Sequence, residues 1–96
     1  MLEKDVEAYL VKQCKERGWL CWKFTSPSNR AVPDRIVIAP GNRMAFFELK
    51  APGRLPTPQQ AALHRDLQMY GVTVRVADSK HAVDAYLRGL WSDHEA

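Results

Sequence analysis

Ninety-six residues, 46% hydrophobic and 26% charged, match an ordinary folded chain and leave room for one domain over residues 1–96. No apolar run reaches the roughly 20 residues that cross a bilayer. The charged start Met1-Leu2-Glu3-Lys4-Asp5 is unlike a signal peptide, and two cysteines are too few for a disulfide scaffold, so a cytoplasmic setting is expected.

Fourteen Lys and Arg against eleven Asp and Glu leave a charge of +3, which permits a polyanionic partner without requiring one. Leu2, Val6, Tyr9, Leu10 and Cys14 recur at helical spacing and Gly18 supplies a stop, which predicts a helix over residues 2–17. The aromatic run Trp19-Leu20-Cys21-Trp22-Lys23-Phe24 predicts a first strand. Cys14 and Cys21 have neither zinc-site nor redox-motif spacing and read as two buried or half-buried thiols. Residues 25–33, polar with two prolines, read as a loop. Ile36-Val37-Ile38-Ala39 and Met44-Ala45-Phe46-Phe47 flank Pro40-Gly41-Asn42-Arg43, a hairpin signal.

After Lys50, the stretch Ala51-Pro52-Gly53-Arg54-Leu55-Pro56 cannot stay regular. Thr57-Pro58-Gln59-Gln60 then opens a helix with a cap, a proline at the first helical position and a capping-box glutamine. Leu63, Leu67 and Tyr70 make its expected apolar stripe, and Gly71 ends it. Residues 72–77 are β-branched and predict a strand. Asp78 or Ser79 caps a last helix to about Leu90, with Ala82, Val83, Tyr86 and Leu87 inward. The order αβββαβα describes a mixed α/β domain built on a central sheet.

Chemistry concentrates at two strand ends. Side chains alternate along a strand, so Asp34 shares a face with Ile36 and Ile38, and Glu48 and Lys50 share one with Met44 and Phe46. A three-residue loop Pro40-Gly41-Asn42 pairs residues whose numbers sum to 82, which sets Asp34 across from Glu48; an even-length loop would put them on opposite faces. Two carboxylates about 5 Å apart repel by roughly 3 kcal/mol at an effective dielectric near 20. Protonation of one acid, neutralisation by Lys50 or a divalent cation relieves that repulsion. An oxygen donor set favours Mg²⁺ or Mn²⁺. Glu3 deviates by about 50° from the apolar centre of the first helix and therefore leans towards the sheet. The apolar runs feeding both acids suggest central strands.

Pro33-Asp34, the hydrophobic hairpin and Glu48-Leu49-Lys50 resemble the PD-(D/E)XK nuclease superfamily. Within it, the chain is similar to small stand-alone members of the VRR-NUC (virus-type replication-repair nuclease) family. Glu3 opening a helix that Gly18 ends, the run Ala51-Pro52-Gly53 after Lys50, and the helix start Thr57-Pro58-Gln59-Gln60 add to that resemblance. It covers roughly residues 3–87, and departs from the family at Ala31, where a glycine is frequent.

The resemblance implies a restriction-endonuclease-like αβββαβ core with a mixed central sheet flanked by helices. It also implies a metal-dependent endodeoxyribonuclease. Asp34 and Glu48 would hold the cation, with Glu3 and the Leu49 carbonyl, and Lys50 would act on the attacking water. Gln60 reads either as a capping residue or as a contact to the site or substrate, and His64, one turn on, as a helix-surface histidine. Lys23, Ser28, Asn29, Arg30, Arg35 and Arg54 are candidates to grip DNA phosphates without reading sequence.

Small members of this family resemble Holliday-junction resolvases, so the expected substrate is branched DNA cut by a homodimer in a bacterial or virus-infected cell. Trp19, Trp22, Tyr86 and Trp91 are its candidate interface aromatics. A flap, nicking or restriction-like nuclease of the same chemistry, or a non-catalytic nucleic-acid-binding module, are the alternatives.

Overall fold

The structure is a computed structural model that describes residues 1–92. Its elements run α1 Glu3–Arg17, β1 Leu20–Lys23, β2 Arg35–Ala39, β3 Arg43–Leu49, α2 Pro58–Met69, β4 Val74–Ala77 and α3 Lys80–Ser92. The order is the αβββαβα expected from patterning. The strands form one mixed sheet in the order β1-β2-β3-β4, with β3 and β4 parallel and the other neighbours antiparallel.

Local chemistry sets the boundaries. Gly18 adopts a left-handed φ of 73° and lets the Trp19 N–H return to the Cys14 carbonyl at 2.9 Å, closing α1. The hairpin turns on Gly41 and Asn42, both at positive φ, and its register pairs Arg35 with Phe47, Ile36 with Phe46 and Ala39 with Arg43. Those pairs sum to 82, as a three-residue loop requires. Ala31 sits in ordinary backbone: Asn42 is the single non-glycine residue with positive φ among those described. The loop thus tolerates a side chain at position 31.

The core lies on one face of the sheet. Val37, Ala39, Ala45, Phe47, Leu49 and Ala77 meet Val6, Leu10 and Cys14 of α1 and Val83, Leu87 and Leu90 of α3. Ser79, through its hydroxyl, caps α3 by accepting from the Ala82 N–H at 3.0 Å, which settles the choice between Asp78 and Ser79.

Helix α2 lies on the opposite face, where Glu48 points. Thr57 and Gln60 form the expected capping box: the Thr57 hydroxyl accepts from the Gln60 N–H at 3.1 Å and the Gln60 side-chain oxygen from the Thr57 N–H at 2.9 Å. The expected apolar stripe needs correcting. Tyr70 is 89% exposed and Leu63 and Leu67 are half-buried, whereas His64 is buried. A short helix over a sheet edge buries only the residues directly above the strands, and Tyr70 falls past its end. The β1–β3 part of this face remains open, with Leu20, Trp22 and Met44 all exposed.

Candidate active site

Asp34 and Glu48 lie at the C-terminal end of β3 where β2 begins, on the two inner strands. The hairpin register carries one step further to set them side by side, and the Asp34 Oδ2 accepts a hydrogen bond from the Leu49 N–H at 2.9 Å. Asp34 is half-buried, and Glu48 is 1% exposed. Burial comes to Glu48 from its strand, which has neighbours on both sides, and from α2 above it.

A carboxyl so placed resists ionisation. Burial pushes Glu48 up from its ordinary value near 4.5 to about 8, and the adjacent Asp34 charge and its hydrogen bonding add to the rise. Lys50 opposes the shift, with its Nζ 3.8 Å from Glu48 Oε2. Glu3 makes the least of these contributions, raising Glu48 slightly through its charge from the exposed first turn of α1. Among the described residues no three His, Cys, Asp or Glu side chains converge as a metal cage. The structure therefore brings Asp34, Glu48 and Lys50 together and leaves Glu3 at the margin.

Gln60 makes the capping box and also reaches Glu48. Its oxygen is used by the Thr57 N–H, so its amide NH₂ faces outward and donates to Glu48 Oε2 at 3.4 Å. His64 corrects its expectation as a helix-surface residue. It is 5% exposed, and its Nε2 stands 3.4 Å from Glu48 Oε1. The i, i+4 spacing of Gln60 and His64 on a helix with one buried side was the available signal. That spacing alone does not decide the matter, because a histidine one turn from a capping residue looks the same in sequence whether it faces water or a sheet.

The candidate phosphate-gripping residues separate. Lys23, Asn29 and Arg30 line a cleft of about 290 Å³ together with Asp34, Phe24 and Val32. Asn29 also shapes the loop, its side-chain oxygen accepting from the Ala31 N–H at 3.1 Å, and the Ser28 hydroxyl lies 3.4 Å from that of Ser26. Arg54 is exposed in the turn after Lys50, which the Asp78 carboxylate pins by accepting from the Gly53 N–H at 3.1 Å.

Arg35 is not with them. It pairs with Phe47 on the core-facing side and gives its Nε to Glu7 Oε2 at 2.7 Å, both side chains about four-fifths buried. Burial pushes Glu7 up, but the Arg35 hydrogen bond and charge, with help from Lys23, hold it below its ordinary value. The next residue along a strand points the other way, which is why Arg35 leaves the side that Asp34 occupies.

Cys14 is buried and Cys21 half-buried, as expected for two packed thiols. Trp19 and Trp91 stack with ring centroids 5.9 Å apart, and the Arg43 guanidinium covers Trp91 at 4.0 Å. Tyr86 meets Phe47 edge-on at 6.2 Å. Of the four candidate interface aromatics, Trp22 alone lies on the open sheet face.

No protein-family profile matches the chain. A protein of Acyrthosiphon pisum secondary endosymbiont phage 1 described as "Putative nuclease p44" is 42% identical over 78 residues, covering 81% of this chain and 84% of its own. A solved structure described as "VRR_NUC domain" superposes with a TM-score of 0.84 at 28% identity, over 90% of this chain and 94% of that one.

Proposed function

The chain belongs to the VRR-NUC nuclease family, and from that premise we propose that it is a metal-dependent DNA endonuclease acting on branched substrates, four-way junctions first among them. The observation that carries this reading is the Asp34–Glu48 pair with Lys50 beside it, one member of the pair buried and pushed to about 8. A fold keeps two acids in that position at a cost to its own stability, and a hard divalent cation removes the cost.

The donor set fits such a cation. Both side chains offer oxygen, and Glu48 Oε1 is buried with no hydrogen-bond partner among the described residues. Two carboxylates suit Mg²⁺ or Mn²⁺, which retain several waters and need no full protein cage. Asp34 and Glu48 would hold the ion, assisted by the Leu49 carbonyl and, from further off, Glu3. When bound, the ion supplies Lewis acidity at the phosphoryl oxygen and lowers the pKa of water.

The chain's own groups do the rest. The Lys50 ammonium, four-fifths or more buried, orients the attacking water and places positive charge against the phosphate as its charge builds. The Asp34 carboxylate is fixed by the Leu49 N–H, so its free oxygen keeps one direction. Lys23, Asn29 and Arg30 border the cleft leading to Asp34 and suit backbone phosphates entering from that side. Arg54 and Ser28 flank the same end of the sheet. Arg35, buried against Glu7, drops out of the DNA-binding set, whereas Lys23 meets the same carboxylate at 3.4 Å from an exposed position and stays within it.

Paired incision of a junction asks for two sites, and the open face with Leu20, Trp22 and Met44 exposed supports a homodimer. The test is cleavage by wild type and Lys50→Ala of junction, flap, single-stranded and plain duplex DNA in Mg²⁺, Mn²⁺ or EDTA. Expected is junction cleavage that needs the metal and falls at least about 100-fold in Lys50→Ala, the size of effect expected for a positioned acid–base group. Preference for flaps or plain duplex reassigns the substrate. No cleavage in either metal leaves only nucleic-acid binding and overturns the enzyme.

A further inference from the structure

Helix α2 turns one side chain fully inward, and it is a histidine. His64 is 5% exposed, while Met69 at the end of the same helix is 84% exposed. Its Nε2 faces Glu48 Oε1 at 3.4 Å, and both atoms are buried without a hydrogen-bond partner among the described residues. Leaving two polar atoms dry and unpaired is destabilising, because each has given up water without a replacement. They face one another at a separation only a few tenths of an ångström longer than an ordinary N–H···O bond.

The other Glu48 oxygen is served by the same helix. Gln60, one turn earlier, donates to Oε2 at 3.4 Å with its amide orientation fixed by the capping box. Two donors at i and i+4 therefore stand over the two oxygens of one carboxyl group, which defines the plane of that group with respect to Asp34. An imidazole carries a proton on at least one ring nitrogen, and a proton on Nε2 would point at Glu48 Oε1.

We propose that His64 is a positioning residue that donates from Nε2 to Glu48 Oε1 and, with Gln60 on Oε2, orients the Glu48 carboxylate for the divalent cation. This rests on the reading of Asp34 and Glu48 as metal ligands. Groups that orient a ligating side chain in this way are typically worth about 10–100-fold in metal affinity.

Mn²⁺ binding to the full chain without DNA, followed by calorimetry and by the Mn²⁺ electron paramagnetic resonance spectrum, tests the proposal. The variants are His64→Leu, His64→Gln and Asp34→Asn, each melted in EDTA as well. Expected is a loss of about 10–100-fold in Mn²⁺ affinity for His64→Leu. His64→Gln, which keeps an N–H donor in reach, recovers most of that loss, and both melt near wild type in EDTA. The cleavage defect of His64→Leu should appear as a higher Mn²⁺ requirement that excess metal corrects, with KM for DNA unchanged. Wild-type affinity in His64→Leu overturns the positioning role alone. Nitrogen hyperfine coupling to an imidazole also overturns it, in favour of direct ligation. Absence of Mn²⁺ binding by wild type, or undiminished binding by Asp34→Asn, overturns the metal reading beneath it.

Discussion

Glu48 is a carboxyl whose surroundings disagree about its charge. Burial and the Asp34 charge favour the protonated form; Lys50 favours the ionised one; Glu3 adds a small push towards protonation, and Gln60 and His64 cover it from α2. The folded value near 8 lies above the ordinary 4.5, so between those values the folded protein keeps a proton that the unfolded chain has lost. Metal-free stability therefore falls as pH rises through that window. His64 acts oppositely below its ordinary value near 6.5, because burial keeps it neutral in the fold while the unfolded chain protonates. From about 6.5 to about 8 the fall driven by Glu48 is no longer overlaid by His64 and, among the described residues, is opposed only by Cys21, whose thiol is held below its ordinary value near 9. Thermal melts in EDTA should show the midpoint falling across that interval, by roughly 4–8 °C for each kcal/mol involved. Glu48→Gln should flatten the trend. A wild-type profile indistinguishable from that of Glu48→Gln would show that Glu48 is ionised at neutral pH without help.

Helix α2 links local capping to the site. Its N-terminus is closed by the Thr57–Gln60 box, and the same Gln60 side chain reaches Glu48 with its other end. Thr57→Ala removes the hydroxyl acceptor at a cost of about 1 kcal/mol. It also frees the first turn, and with it the direction in which the Gln60 amide points. The expected outcome is a modestly lower melting temperature together with weaker Mn²⁺ binding, whereas Thr57→Ser preserves both. Calorimetry on the two variants checks this; a stability loss with unchanged binding would separate the cap from the carboxylate. The hairpin is the second such element. Its turn at Gly41 and Asn42, both at positive φ, sets a register in which Asp34 and Glu48 share a face. That register was legible from loop length and residue type, because strand alternation leaves only two outcomes.

At the scale of the whole molecule, the sheet is covered unevenly. α1 and α3 bury the centre of one face, while α2 shields only part of the other. Trp22, 57% exposed, sits in the open part with Leu20 and Met44 at 46% and 41%. An apolar face of this kind on a small chain marks an interaction surface. If a second copy covers it, light scattering of wild type at micromolar concentration gives a dimer and Trp22→Glu gives a monomer with an unchanged circular dichroism spectrum. Junction cleavage should fall in that variant more than cleavage of nicked or flap DNA. A wild-type monomer would detach the open face from junction cutting.

The sequence by itself determined the elements, their order, the two caps of α2 and α3 to within one residue, and the hairpin register that joins Asp34 to Glu48. These depend on spacing and turn chemistry within a few residues of chain, so they can be read without knowing what packs where. Only the tertiary structure decided which polar and aromatic side chains meet one another. It turned His64 inward over Glu48, committed Arg35 to Glu7 and stacked Trp19 on Trp91. Each of those outcomes is set by the meeting of segments distant in sequence, and a local pattern cannot report which side of a polar or aromatic residue will find a partner.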